Sequence, residues 1–379
     1  MASKPIGIYL IQEVGCINPH SGAYQHISMG VQQLSHHFNI ETYLATKPIN
    51  LATRVSVKTN ASGKPAVIAK NPLRGTIKDV LSLLSNVKNS YKLIKLLKSK
   101  KIDFVYERAA YMNFSGLIAC KFSGIPHFYE SNGLQFEGQK SYYRSLFTKL
   151  SRIFEKMAYS YATHTFFVGS YGDYWQIDKD NWTNVENGIE QDKVVPYQKK
   201  TLNKETLQIC FIGKFMKHQR LDILLDALKI IGANNAIKVH LIGGDLGSIE
   251  NEIKNIGISV ENHSFVDRSK IISLIINFDV GIICGSPEYQ SCMKLFDYAA
   301  AGCAVVAPEI HNLKVWFPNE VCYFDGKPKD FANKLLYLKE NRNILNGYGK
   351  SIFETVTNNF SWKNIFELKV SIIKSNLNT

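Results

Sequence analysis

Short runs of apolar and β-branched residues alternate along this 379-residue chain with longer stretches whose apolar positions recur every three to four residues. The short runs are IGIYLI, IETYLA, FVYER, HFYES and HTFFVG in the first half, and LQICFIG, KVHLIGG, SFVD, VGIIC, AVVAP and VCYF in the second. Strands alternating with amphipathic helices predict an α/β chain with parallel sheets. The two groups are separated by the polar segment 187–206, which carries Pro196 and reads as a linker.

Two helical patterns in the first half are rich in both apolar and basic residues. In 75–101, Val80, Leu83, Leu84, Val87, Tyr91, Ile94 and Leu97 follow helical spacing, with lysines on the other face. In 140–162, Tyr143, Phe147, Leu150, Phe154 and Met157 are interleaved with Lys140, Arg144, Lys149, Arg152 and Lys156. Each segment admits two readings: a core-packed helix with a solvated basic face, or an interfacial helix on anionic lipid.

Length and charge narrow the classes. A chain of this size is expected to form two domains, each with its own core. The net charge of +13 favours an anionic partner, either a nucleotide, a nucleic acid or an acidic membrane surface. Seven scattered cysteines form no CxxC pair or His/Cys cluster, so they read as reduced core residues of a cytoplasmic protein, and no metal site is implied. The first residues lack a signal-peptide pattern. The longest apolar run, in 271–284, falls short of the roughly 20 residues that span a bilayer and contains Asp279, so any membrane contact is expected to be peripheral.

The stretch PEYQSCMKLFDYAAAGCAVVAP, 287–308, carries the most chemistry. A helix is expected to start near Ser291 or Cys292 and stop at Gly302, with Leu295, Phe296 and Ala299 against a sheet and Gln290, Lys294, Asp297 and Ala301 along another side. Lys294 and Asp297 form either a surface i,i+3 pair or part of a ligand site. In the second case the helix start and Lys294 bind phosphate, and an acidic side chain one turn on accepts hydrogen bonds from two ribose hydroxyls.

Over about 15 residues this stretch resembles the retaining glycosyltransferases of GT-B family 4, whose KLFEYMAAGxPVVA is matched by KLFDYAAAGCAVVAP. The family's signature is two glutamates separated by seven residues. Asp297 holds the second position, and Tyr289 holds the first, with Glu288 one residue away. A second motif, LQICFIGKFMKHQRLDILLDAL, places Gly213 at the turn where the family has an arginine one residue on and a lysine six residues past the glycine. Lys214 stands for that arginine and Gln219 for that lysine, with Lys217 and Arg220 as neighbours. Lysine supplies a point charge in place of arginine's bidentate fork.

The first half resembles the family more loosely. NPHSGAY matches the loop facing the donor diphosphate, with Gly22 at the matched glycine and His20 beside it, although a generic surface turn fits the residues as well. The YER strand and the following ESN make Arg108, Glu130 and Asn132 candidates for the acceptor side, or for structural salt bridges. Neither GGDLG at 243–247 nor DKD at 178–180 has the position of a dinucleotide or metal motif.

The resemblance spans nearly the whole chain and implies two doubly wound, Rossmann-like domains facing across a cleft. The N-terminal acceptor-binding domain is expected over 1–190 and the nucleotide-sugar domain over 200–358, with the last helix, 359–379, packing back on the first. It implies a hexosyltransferase-type enzyme, retaining at the anomeric carbon, that takes a UDP- or GDP-linked sugar to a glycan or polyprenyl-linked acceptor in surface polysaccharide synthesis. Lys214, Arg220, Lys294 and Asp297 are then the catalytic set. Gly22, Gly213, Lys217, Gln219, Glu288, Tyr289, Ser291, Cys292, Met293 and Leu295 line the donor. No metal or other cofactor is implied. An inactive relative acting as a scaffold and a nucleotide-sugar epimerase are the alternatives. No nucleic-acid recognition motif is present.

Overall fold

The computed structural model describes residues 3–19, 21–51, 71–140, 145–194, 196–197 and 205–377. The chain divides into two compact units, one formed by Met1–Glu186 with Lys363–Thr379 and the other by Asn187–Trp362. Residues 187–189 are therefore not linker. The Ile189 N–H donates to Phe360 O and the Trp362 N–H donates to Ile189 O, which ties this stretch into the second unit.

The first unit is built on a seven-stranded sheet: β1 (Ile6–Ile11), β2 (Asn39–Leu44), β3 (Lys47–Pro48), β4 (Phe104–Arg108), β5 (His127–Ser131), β6 (His164–Val168) and β7 (Trp182–Val185). The order is β3-β2-β1-β4-β5-β6-β7, and every pairing is parallel except β2 with β3. Central strands buried on both faces need near-continuous apolar runs, which IGIYLI and HTFFV supply. One core, including Ile8, Leu10, Val105, Leu93, Leu97 and Ala119, forms between the sheet and the helices Pro72–Lys100 and Ser115–Ser123.

The helix Pro72–Lys100 reverses the expected amphipathicity. Over its first five turns it buries Gly75, Asp79, Asn86 and Ser90, while Leu73, Ile77, Leu81, Leu84, Val87 and Tyr91 are exposed. Hydrogen bonds explain the inward polar stripe. Asn86 donates to Met112 O and accepts from the Phe114 N–H, Ser90 donates to Ser115 O, and Tyr111 donates to Asp79. The helix Thr148–Tyr161 behaves alike, burying Ser151, Glu155, Ala158 and Tyr159 and exposing Leu150, Ile153 and Met157. Tyr143 and Arg144 lie outside the described residues. Among the described residues no helix is long and apolar enough to cross a membrane.

The second unit holds a six-stranded, all-parallel sheet: β8 (Leu207–Ile212), β9 (Ile237–Ile242), β10 (Ser259–Asn262), β11 (Val280–Ile282), β12 (Ala304–Pro308) and β13 (Cys322–Phe324), in the order β10-β9-β8-β11-β12-β13. SFVD is not a strand. Its place is taken by SVEN, a half-exposed edge strand. The order reverses between β8 and β11, and such switch points are where open α/β sheets bind ligands. Past the Gly281–Cys210 pair the two strands no longer bond directly, and the Tyr298 hydroxyl joins them by accepting from the Ile212 N–H and donating to Ile282 O. Gly281 is required here, because a Cβ would stand 2.1 Å from the Tyr298 ring.

Candidate active site in the second unit

Two loops leave the carboxyl ends of the switch-point strands, 213–220 after β8 and 283–292 after β11. They pack closely. A Cβ on Gly285 would meet Arg220 Cγ at 2.5 Å and His218 O at 2.8 Å. The second loop feeds the helix Met293–Ala300, whose N-cap is Cys292. Its apolar residues Leu295, Phe296, Tyr298 and Ala299 are buried, which holds Lys294 toward the first loop and Asp297 toward the segment 268–270.

Lys294 and Asp297 do not pair with each other. The Lys294 ammonium donates to Gln219 Oε1 and stands 4.2 Å from the centre of the buried Phe211 ring, a cation–π contact. A lysine at position 219 would repel this ammonium, whereas the glutamine carbonyl accepts from it. Burial lowers the Lys294 pKa to about 8, since removing the charge from water disfavours it. Asp297 accepts a two-pronged grip from Arg268, with Nη1 and Nη2 each 2.6 Å from a carboxylate oxygen. Burial pushes the Asp297 carboxyl up, and the guanidinium pulls back against that rise. Asp297 keeps oxygen lone pairs for further donors.

Lys214 and Lys217 are exposed on the first loop, and Gly213 ends β8 with φ of 152°. The Arg220 guanidinium turns to Asp222 at 2.9 Å, an exposed pair of the kind that contributes little. Ser291 accepts from the Asn187 side chain at 2.7 Å, and Cys292 lies 3.1 Å from Ser286 Oγ. Met293 is half-buried at the start of the helix. Glu288 accepts from the His311 N–H at 2.7 Å and so caps the helix His311–Trp316, while the Tyr289 ring lies 5.1 Å from the His311 ring. The Leu295 side chain is fully buried, and its N–H donates to Cys292 O.

The first-unit candidates form a different kind of site. Glu130 is fully buried in the interior of the first unit. It accepts from Lys369 at 2.8 Å, Asn132 at 2.9 Å, Arg108 at 3.3 Å, His26 at 3.0 Å and the Tyr106 hydroxyl. Burial pushes Glu130 up, yet His26, Lys369 and Arg108 more than offset it and hold the carboxyl well below its usual range. Burial also holds His26 below its ordinary value, against the pull of Glu130. Gly22 opens the helix Gly22–Ser35, and a Cβ there would touch nothing within 4 Å. His20 lies outside the described residues.

Arg268, His26, Tyr106 and Lys369 were not singled out by sequence. Arg268 sits next to the SFVD run read as a strand, and Lys369 is joined to Glu130 only by the fold.

Residues 206–341 match the family model described as glycosyl transferases group 1. That match lies wholly within the second unit. No curated protein matches the chain by sequence. Solved structures resemble it in fold along nearly its full length, and the fold is GT-B. A glycosyltransferase from Rickettsia africae ESF-5 is 14% identical with a TM-score of 0.71, covering 99% of both chains. Sucrose-phosphate synthase from Thermosynechococcus elongatus is 12% identical at 0.70, covering 98% of this chain and 99% of its own. Anabaena Alr3699/HepE, solved in complex with UDP-glucose, is 13% identical at 0.70, with 98% and 99% covered. The region matching the family model contains both switch-point loops and all of Lys294, Asp297, Gln219 and Arg268.

Proposed function

We propose that this protein is a glycosyltransferase that moves a hexosyl group from a nucleoside diphosphate sugar, UDP- or GDP-linked, to a glycan or polyprenyl-linked acceptor, with retention, in surface polysaccharide synthesis. The observation that carries the donor half is Lys294 and Asp297 side by side at the β8/β11 switch point, one beside the glycine loop and the other beside Arg268. Cleavage of the glycosyl–phosphate bond leaves an oxocarbenium-like sugar and a diphosphate with added negative charge. Lys294, with Lys214 and Lys217 on the neighbouring loop, stabilises that charge as it develops. Asp297 accepts the ribose hydroxyls with the lone pairs that Arg268 leaves open.

Thermal unfolding with UDP, GDP, ADP, CMP and their sugars tests the donor site. A nucleotide at about 100 times its Kd adds about 2.7 kcal/mol of stability. One nucleoside diphosphate is expected to stabilise the wild type and to lose its effect in Asp297→Ala. UDP is the first choice, given the UDP-glucose in the Anabaena structure. Stabilisation by none of them moves the reading to an inactive relative.

The outward apolar stripe supports the acceptor half. Leu81, Leu84 and Val87 are 60%, 61% and 70% exposed, and Arg74, Lys78, Lys88 and Lys92 are exposed on the same helix. The Leu146 N–H donates to Thr76, which brings the exposed Leu146 beside the start of this helix. Apolar side chains within a basic surface fit an anionic bilayer, where each basic residue contributes about 1 kcal/mol. The wild type is expected to co-sediment with phosphatidylglycerol-containing vesicles and not with phosphatidylcholine alone. The Leu84→Glu/Val87→Glu variant is expected to stay in the supernatant while its nucleotide-induced stabilisation is unchanged. Equal sedimentation of variant and wild type rules this surface out.

A further inference from the structure

His240 on β9 lies opposite Glu261 on β10, and His263 follows two residues later, so strand alternation puts all three on one face of the sheet. One ligand atom from each lies within 4.8 Å of the others. His240 Nδ1 is 3.0 Å from His263 Nε2, and Glu261 oxygens are 3.7 Å from His240 Nδ1 and 3.7 Å from His263 Nδ1. Gln208 Oε1 lies 2.7 Å from His240 Nε2, and a carbonyl oxygen can only accept. The proton of His240 is thereby fixed on Nε2 and its lone pair on Nδ1, toward the other two residues. The Phe278 ring stacks on His240 at 3.9 Å and fixes the plane of the imidazole. A hydrogen bond to the far nitrogen is how metal-ligating histidines are oriented.

We propose that His240 Nδ1, His263 Nε2 and a Glu261 oxygen bind a divalent transition ion of the kind that favours imidazole, zinc in the first instance, with water completing the site. Nitrogen ligands about 2.0–2.1 Å from a tetrahedral ion stand roughly 3.3 Å apart, so the pair at 3.0 Å opens slightly and the carboxylate, 3.7 Å from His240 Nδ1, swings in toward both nitrogens. His263 carries its proton on Nδ1 in the bound form, beside Glu261, and no net proton is released. Lys238, 2.6 Å from Glu261 Oε2, occupies the carboxylate in the absence of the ion and competes with it. Bound metal pins the edge strand β10 to β9.

The test is titration of the chelator-washed full-length chain with Co2+ and Zn2+, read by the cobalt absorption spectrum and by thermal unfolding. One ion per chain is expected, with a tetrahedral nitrogen/oxygen spectrum and a zinc-dependent rise in Tm. Affinity is expected to fall at least tenfold in His263→Ala and in Glu261→Gln and to rise in Lys238→Ala, with the rise in Tm absent from His263→Ala. The proposal is overturned by absence of binding, by affinity unchanged in all three variants, or by a thiolate charge-transfer band that assigns the ion to cysteine.

Discussion

Replacing Glu130 with glutamine is expected to cost the first unit about 3–5 kcal/mol, the loss typical when one member of a buried ion pair is removed. Lys369 is fully buried and its ammonium donates to Glu130 and the Tyr106 hydroxyl, with Glu130 as its salt-bridge partner among the described residues, so the variant removes that counter-charge. The half-buried Arg108 loses the same anion. Because Lys369 lies on the helix Trp362–Leu377, the damage should centre where that helix joins the sheet. Faster amide exchange in 363–377 and in β5, together with a lower unfolding midpoint, would report it. Lys369→Met should be destabilising too, and the double variant Glu130→Gln/Lys369→Met should cost less than the sum of the two, since each residue's main liability is the other. Additive losses would show that the two charges act independently. The pH dependence has a definite sign. Glu130 titrates lower in the folded protein than in the unfolded chain, so its contribution is complete above the ordinary carboxylate range and drains away as pH falls below it.

The parts of the fold that were legible in the sequence are the ones where burial dictates residue type. IGIYLI, FVYER, HFYES and AVVAP are central strands, and the structure gives them with the same bounds. The edge β13 was readable from VCYF, but two other edges were not. β7 and β10 are short and half-exposed, and WTNV and SVEN have neither an apolar run nor a clean alternation. Beside SVEN, Phe265 made SFVD look like the strand, although that side chain is 62% exposed. The helix Pro72–Lys100 misled for the opposite reason. Its apolar periodicity is real, but periodicity identifies a face without saying which side of the helix meets the core. Asp79, Asn86 and Ser90 could be recognised as inward residues only once the loop 110–115 supplied their partners. In the candidate site the residue types on the β11 side were readable from 287–308, because a lysine and an aspartate one turn apart stand out beside small residues. Gln219 was named from its own motif as well, but neither its pairing with Lys294 nor Arg268 was readable. Gln219 and Arg268 come from other parts of the chain, and only the parallel order β9-β8-β11 brings the three segments together.

Lys294→Met is expected to lower turnover by about 10²–10³-fold, equivalent to about 2.7–4 kcal/mol, while leaving the fold intact. Methionine keeps most of the side-chain volume beside Phe211 and removes the charge. The loss would therefore report stabilisation of the departing diphosphate, measured as nucleotide release from whichever donor stabilises the wild type. The pH profile separates this role from packing. Burial sets the Lys294 pKa to about 8 in the free protein, and the protonated form is the one that holds the diphosphate. Consequently kcat/KM should fall as pH rises through about 8, and the corresponding limb in kcat should lie higher, because a bound diphosphate favours the charged lysine. Lys294→Arg keeps its charge throughout this range and should lose the alkaline limb, at reduced activity because a planar fork replaces a point charge. The same shift acts on stability with the opposite sign. Below about pH 8 the folded protein bears the cost of a half-buried cation, and that cost is relieved as pH rises from about 8 toward the ordinary lysine value. Activity falling while stability rises over one pH interval is not expected of a generally alkali-sensitive protein. A wild-type kcat/KM profile flat through this interval, or one with the same limb in Lys294→Arg, would assign the diphosphate to Lys214 and Lys217 instead.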